Sequence, residues 1–492
     1  MSSVAIPSRE ADRAVLYAAI AVALVTIIRV VYLAGERFPL YGDEAQYWVW
    51  STELDWGYYS KPPMIAWLIR ATTSLVGVRE MGVRLSAPLL HAGTAMVLLA
   101  IGTRLFNARV GAWTAVVYAT LPAVSLASMV MSTDTPLLFC WAIALLCYLR
   151  ALEEDRWGDW LAMGAAIGFG LLSKYAMGFF VLSIGLHLLS SPEGRRRLAS
   201  PKLWAALVLG FMILAPNLIW NLNNGAVTFK HTGDNANLAG PLFHPAKLGD
   251  FFGGQFGVFG PILFAFLLIL VIGQAKTVWR DDRQRLLVCF ILPHFLPILV
   301  IALLSRANAN WAAAIYIAAT PLVVAWALDS ALRRKLLIAS VALHVTVAGL
   351  AYHLHGLASL SGVTLTRKTD PYSRVLGFDQ AGFAVAHLLR QMPGAVLMTE
   401  DRMLFALLAF YVQPRPVQVQ WNGNGRIDEH FKMTTDIRDH AKAPILFVTE
   451  RENPVDVTSR FELSDFFAKI QIPIYAEDER VFFTFELQGF KN

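Results

Sequence analysis

The sequence predicts a polytopic α-helical membrane protein of about eleven spans, followed by a small α/β domain. Three observations predict it. Of 492 residues, 56% are hydrophobic and only 16% charged, whereas a soluble domain carries about a quarter charged residues. Mean hydropathy is +0.49. Apolar runs of membrane length recur as far as residue 353, and the pattern then changes. This composition excludes a disordered chain, a collagen, a coiled coil and a cysteine-stapled secreted scaffold. The net charge of +6 does not point to nucleic acid, because membrane proteins gather Lys and Arg in their cytoplasmic loops. Membrane lipids are the expected surroundings. Cys140, Cys147 and Cys289 lie in apolar runs, and their spacing builds neither a disulfide framework nor a metal cluster.

The spans are expected near 14–34, 83–103, 110–128, 134–150, 159–173, 176–190, 203–221, 251–273, 286–304, 309–328 and 335–353. The first is too long, and too poor in a small-residue cleavage site, for a removable signal peptide, so it reads as an uncleaved span. Residues 160–189 read as two short helices turning at Ser173-Lys174-Tyr175, since a lysine in mid-bilayer is expensive. Charge supports that turn. With Arg9 and Arg13 on the cytoplasmic side, the even loops hold Arg104 and Arg109; Arg150 and Arg156; Arg195, Arg196, Arg197 and Lys202; Lys276, Arg280, Arg283 and Arg285; Arg333, Arg334 and Lys335. The short odd loops are poor in bases: 128–133 has none and 305–308 only Arg306. This positive-inside pattern holds only if the Lys174 turn counts as a loop.

Residues 1–353 are therefore expected to form a membrane module, with the loop 35–82 and the tail 363–492 both extracytoplasmic. In the tail, 395–399, 444–449 and 481–487 read as strands, and 383–391 and 402–411 as helices. The pattern fits an α/β domain of about 130 residues. No internal repeat of the transporter kind is visible.

The first loop carries the densest chemistry. It reads Tyr41-Gly42-Asp43-Glu44-Ala45-Gln46-Tyr47-Trp48-Val49-Trp50 and, further on, Tyr58-Tyr59-Ser60-Lys61-Pro62-Pro63. Residues 45–54 and 64–76 read as short amphipathic helices at the membrane surface, where Trp and Tyr concentrate. Asp43, just before the first, is an N-cap, an active carboxylate, or both. Lys61 is either a snorkelling interfacial lysine or a cation for phosphate, held by two prolines. A carboxylate pair and a rigidified lysine in one aromatic-rich loop suit a lipid-phosphate substrate.

A first span followed by a Gly-Asp-Glu loop and a Lys-Pro turn resembles the C-type membrane glycosyltransferases. More narrowly, it is similar to bacterial relatives of the protein O-mannosyltransferases and of the aminoarabinose transferase that modifies lipid A. Three further stretches fit: Met131-Ser132-Thr133-Asp134-Thr135-Pro136; Pro216-Asn217-Leu218-Ile219-Trp220-Asn221 with Val227-Thr228-Phe229-Lys230-His231; and Arg306-Ala307-Asn308-Ala309-Asn310-Trp311 with Tyr316. The resemblance covers the membrane half and is strongest in the first loop.

It implies a polyprenyl-phosphate sugar donor, a lipid A, lipopolysaccharide, other glycan or protein acceptor outside the bacterial inner membrane, and inversion at the anomeric carbon. It also implies roles. Asp43 is the catalytic base and Asp134 a helper in the same pocket; Glu44, about 100° away on the same helix turn, is by its position better suited to orienting a neighbour. Lys61, Arg306 and Tyr316 are phosphate ligands, and Lys174 and His231 are further candidates. Lys174 also reads as a snorkelling helix-end lysine, and His231 as an incidental loop histidine. No cofactor is required; a divalent metal fits the family, but Ser60 stands where the aminoarabinose branch has a carboxylate. His91, His294 and His344, inside spans, read as hydrogen-bonded packing residues. The alternative function is a flippase or transporter for a polyprenyl-linked sugar, which would place ionisable groups at mid-span. Here Asp43, Asp134, Lys174 and Arg306 fall at span ends.

Overall fold

A computed structural model describes residues 9–35, 38–234 and 242–491. Its chain divides into two compact units. The first comprises residues 1–34, 61–65 and 84–353; the second comprises 35–60, 66–83 and 354–492. The division differs from a cut at residue 353 alone, because most of the first loop packs with the tail.

Among the described residues, six helices are long and apolar enough to cross a membrane: Arg9–Ala34, Glu80–Leu105, Asp134–Glu154, Pro201–Asn223, Asp282–Leu304 and Ala331–Tyr352. The expected span at 251–273 is not continuous. It forms Pro245–Val258 and Pro261–Gly273, bent by 116°. The break has a local cause. Gly260 sits at φ +91°, a conformation that side chains rarely adopt, and a Cβ there would lie 2.0 Å from His344 Nε2. Pro261 then starts the second helix with its φ already set.

The four remaining expected spans are helical but short. The third stops at Thr120 and restarts at Pro122, since the residue before a proline is pushed out of the helical region. The fifth and sixth are Trp157–Ser173 and Gly178–Leu189, separated by extended Lys174 and a single 3₁₀ turn. The tenth is Ile315–Leu328, preceded by a 3₁₀ turn at Ala309–Ala312.

Small residues let these helices approach closely: a Cβ on Gly164 would come 2.1 Å from the carbonyl oxygen of Ala206. Arg29, inside the first helix, is buried and satisfied. It donates to Ala119 O at 2.6 Å and Ser125 Oγ at 3.0 Å, as a cation at that depth must. His91 bonds Tyr118 Oη at 3.0 Å through Nδ1, and His344 bonds Ser340 Oγ at 3.1 Å. The His294 ring instead packs by face, 4.8 Å from Phe179 and 5.5 Å from Trp141.

In the second unit the tail builds a five-stranded sheet, order β2-β1-β3-β5-β4. The strands are β1 Val396–Thr399, β2 Gln418–Gln420, β3 Ile445–Thr449, β4 Phe461–Tyr475 and β5 Asp478–Phe490. The expected strands are β1, β3 and β5, the three central ones. β1 runs parallel to β2 and β3, while β5 is antiparallel to β3 and β4. Met398, Val419, Phe447, Phe483, Phe485 and Leu487 belong to one core cluster of the sheet. Helices Phe378–Gln391 and Arg402–Tyr411 bury apolar faces in the same unit.

Candidate active site

In the first unit the site is built on a helical hairpin. Asp134 opens the helix Asp134–Glu154, and Lys174 follows the helix Trp157–Ser173. The two helices are joined by a tight turn at Asp155 (φ 47°) and Arg156, so the start of one and the end of the other return to the same level. Each charge suits its helix end: an anion at an N-terminus, a cation at a C-terminus. Lys174 Nζ donates to Asp134 Oδ1 at 2.6 Å. Asn310 Nδ2 donates to the second oxygen, Oδ2, at 2.8 Å. Lys61 adds Coulombic attraction to the same carboxylate.

Polar contacts fix the segments that carry these groups. Beside Lys174, Tyr175 Oη donates to Asn217 Oδ1 at 2.8 Å and accepts from Asn221 Nδ2 at 3.3 Å; its ring stacks on Phe229 at 4.9 Å. Asn217 and Asn221 therefore hold the lysine turn. His231 shares the short helix Val227–Asp234 with Phe229. Gln255 Nε2 donates to Ala309 O at 3.2 Å, and Tyr316 Oη donates to Gln255 Oε1 at 2.7 Å. This links the Asn310 turn to two helices. The Tyr316 hydroxyl, expected on phosphate, gives its proton to Gln255, and its buried ring stacks on Phe259 at 4.3 Å. Arg306 is exposed.

Asp134, Asn310 and Tyr316 also line a cavity of about 290 Å³. Its other walls are mainly apolar, among them Leu121, Val124, Leu126, Val130 and Val258. A carboxylate held by two donors thus borders an apolar chamber.

In the second unit, helix Gly42–Thr52 starts three residues earlier than expected. Asp43 is therefore inside the first turn and is not the N-cap. Glu44 takes the capping role instead: its Oε2 accepts from Tyr41 N at 3.1 Å, and the side chain is buried. Asp43 remains 56% exposed and pairs with Arg402 Nη1 at 3.2 Å. The aromatic residues expected at a membrane surface are largely packed inside this unit. Trp50 stacks on Tyr58 at 4.7 Å, and Trp48 meets Phe410 edge-on at 4.9 Å.

Sequence reading had no signal for Arg402, which lies 359 positions from its partner. From the stretch 306–311 it singled out Arg306; Asn310, quoted there only as part of the motif, is the residue that bonds Asp134. Among the described residues, no three His, Cys, Asp or Glu side chains gather to hold a metal.

The fold is that of a C-type membrane glycosyltransferase. The chain superposes on the solved structure of ArnT from Cupriavidus metallidurans bound to undecaprenyl phosphate with a TM-score of 0.66, at 17% identity, covering 94% of this chain and 97% of that one. Residues 60–220 match the dolichyl-phosphate-mannose-protein mannosyltransferase family. Lipid A galacturonosyltransferase RgtD of Rhizobium johnstonii is 34% identical over 433 residues, 86% of this chain and 89% of that protein. Lipopolysaccharide core galacturonosyltransferase RgtA of the same organism is 28% identical over 195 residues, 39% of this chain and 38% of that one. The chain belongs to the family of C-type membrane glycosyltransferases that RgtD represents, and it is an integral-membrane glycosyltransferase. The transporter alternative is set aside.

One titration follows from the second unit. Burial raises the Glu429 carboxyl from 4.5 to about 7; Asp428 and Asp401 push the same way, and Lys432 and Arg402 oppose them. The folded state thus holds this proton more tightly than the unfolded state. The stabilisation is full below pH 4.5 and is lost as pH rises through about 7. Glu429→Gln keeps a neutral side chain throughout. Its melting temperature in detergent, relative to the parent, is expected to climb between pH 4.5 and 7 and then level off. A difference that does not change with pH would contradict this.

Proposed function

We propose that this enzyme transfers a uronic acid sugar from a polyprenyl-phosphate donor to a lipid A or lipopolysaccharide acceptor, with inversion at the anomeric carbon. The observation that carries the reading is the Asp134 carboxylate held by Lys174 and Asn310, with Asp134 and Asn310 lining an apolar cavity of about 290 Å³. Cations near an apolar chamber suit a substrate that joins an anionic head to an isoprenoid chain. The sugar and acceptor classes follow the names of the two galacturonosyltransferases, and the donor class follows the lipid bound to ArnT.

In this mechanism an acceptor hydroxyl attacks the anomeric carbon on the face opposite the phosphate. A hydroxyl is a weak nucleophile, so Asp43 takes its proton as the new carbon–oxygen bond forms. The bond from carbon to phosphate oxygen breaks, and its electron pair leaves on polyprenyl phosphate. Lys61 meets the charge that grows there. Asp134 helps in the same pocket, and Arg306, Tyr316, Lys174 and His231 are the further phosphate candidates.

The test is transfer of labelled galacturonate from polyprenyl phosphate to lipid A by the purified protein. Asp43→Asn is expected to lose about two or more orders of magnitude in turnover, the usual scale for a general base. Lys61→Ala is expected to lose most activity at limiting donor. Failure to transfer from any uronosyl donor would contradict the substrate class. Near-normal turnover in Asp43→Asn with an inactive Asp134→Asn would exchange the two roles.

We further propose an inner-membrane location with a cytoplasmic N-terminus and a periplasmic tail, because the basic loops fall on alternate sides. Impermeant labelling of single cysteines from outside is expected at position 422 and not at position 196. The opposite pattern would invert the topology.

A further inference from the structure

We infer that Arg402, from the tail, is a positioning residue that aims the Asp43 carboxylate. The inference rests on the reading of Asp43 as the base. It begins with local structure. Asp43 and Gln46 stand three apart on helix Gly42–Thr52 and so share a face. Arg402 opens helix Arg402–Tyr411, which Asp401 caps by accepting from Leu404 N at 2.8 Å. The starts of these two helices abut: a Cβ on Gly42 would come 2.5 Å from Met403 Sδ. Only a glycine at 42 allows that approach, and the approach brings the guanidinium over the Asp43–Gln46 face.

One nitrogen then serves both partners. Arg402 Nη1 donates to Asp43 Oδ1 at 3.2 Å and to Gln46 Oε1. Gln46 is buried, so it anchors the guanidinium from the protein side. Asp43 Oδ2 has no hydrogen-bond partner among the described residues. The carboxylate is thus held by one oxygen and presents the other.

An ion pair this exposed, 30% and 56% for its two side chains, adds little to stability. Its consequence is orientational. An exposed aspartate in a first helical turn samples several rotamers, and a base must stay within hydrogen-bond reach of the proton it removes. Oδ2 takes the proton of the acceptor hydroxyl while Oδ1 stays on Arg402, which keeps its own protons throughout. The sugar–oxygen bond forms, and the bond to phosphate breaks with its electrons leaving on the lipid phosphate. The tail domain thereby supplies a part of the catalytic arrangement.

The test uses the full-length protein and four variants: Arg402→Met, Arg402→Lys, Asp43→Asn and the double variant Arg402→Met with Asp43→Asn. Arg402→Met is expected to lower kcat about tenfold or more, within the range that misplacing a reacting group produces, and to leave the donor KM within about twofold. Arg402→Lys is expected to recover part of the loss. The double variant is expected to be no slower than Asp43→Asn, because a misaimed amide loses nothing further. Wild-type kcat in Arg402→Met beside an impaired Asp43→Asn would overturn this inference and leave the base reading standing. A double variant slowed by the product of the single losses would also overturn it. Wild-type turnover in Asp43→Asn would remove the base reading itself.

Discussion

The ion pair between Asp134 and Lys174 is the interaction on which the first unit's site depends. Each charge would be costly near the apolar phase alone, and each belongs to a helix end that favours its sign. The hairpin of Asp134–Glu154 and Trp157–Ser173 brings those ends together, and the pair closes at 2.6 Å. Only 15% of the Asp134 side chain and 23% of Lys174 remain exposed. At that burial a lone charge would be poorly solvated, so partnership is what allows either residue to stand there. Asn310 completes the set by occupying the second carboxylate oxygen.

The surrounding polar side chains act as struts for this pair. Asn217 and Asn221 grip Tyr175, the residue after Lys174. Gln255 ties the Asn310 turn to Tyr316. All of Asn217, Asn221, Gln255 and Tyr316 are buried, where unsatisfied polar groups would be expensive. The cavity beside Asp134 owes its wall to the same struts, since Asn310 and Tyr316 both line it. A rigid carboxylate beside an apolar chamber follows from packing before any substrate is considered.

Much of this was legible in the sequence. Apolar length located eleven helical segments, and positive-inside counting forced the Lys174 turn that the structure realises as extended backbone. The bend at Gly260-Pro261 was not anticipated: the expected span 251–273 runs through it, because hydropathy does not register a glycine-proline break. Two parts had no local signature. β4, Phe461–Tyr475, is mostly exposed and carries Asp465, Lys469 and Pro473, so alternation never becomes a clean pattern. Arg402 finds Asp43 and Gln46 only through the approach of two helix starts, which chain order does not reveal. The aromatic density of the first loop read as a membrane surface; the structure adds that Trp48, Trp50 and Tyr58 are buried within their unit, and burial in protein and burial in lipid select the same side chains.

The most direct measurement of the central claim is thermal unfolding, in detergent, of Lys174→Met, Asp134→Asn and the combined variant. Removing the lysine alone strands a largely buried carboxylate, at a cost on the order of 1–3 kcal/mol. Neutralising both partners removes that penalty. The account predicts that the combined variant melts above Lys174→Met and no lower than Asp134→Asn, which strands the lysine in turn. A combined variant that melts lower than both, by the sum of their losses, would mean that the two residues stabilise the fold independently and that their pairing is not the constraint described.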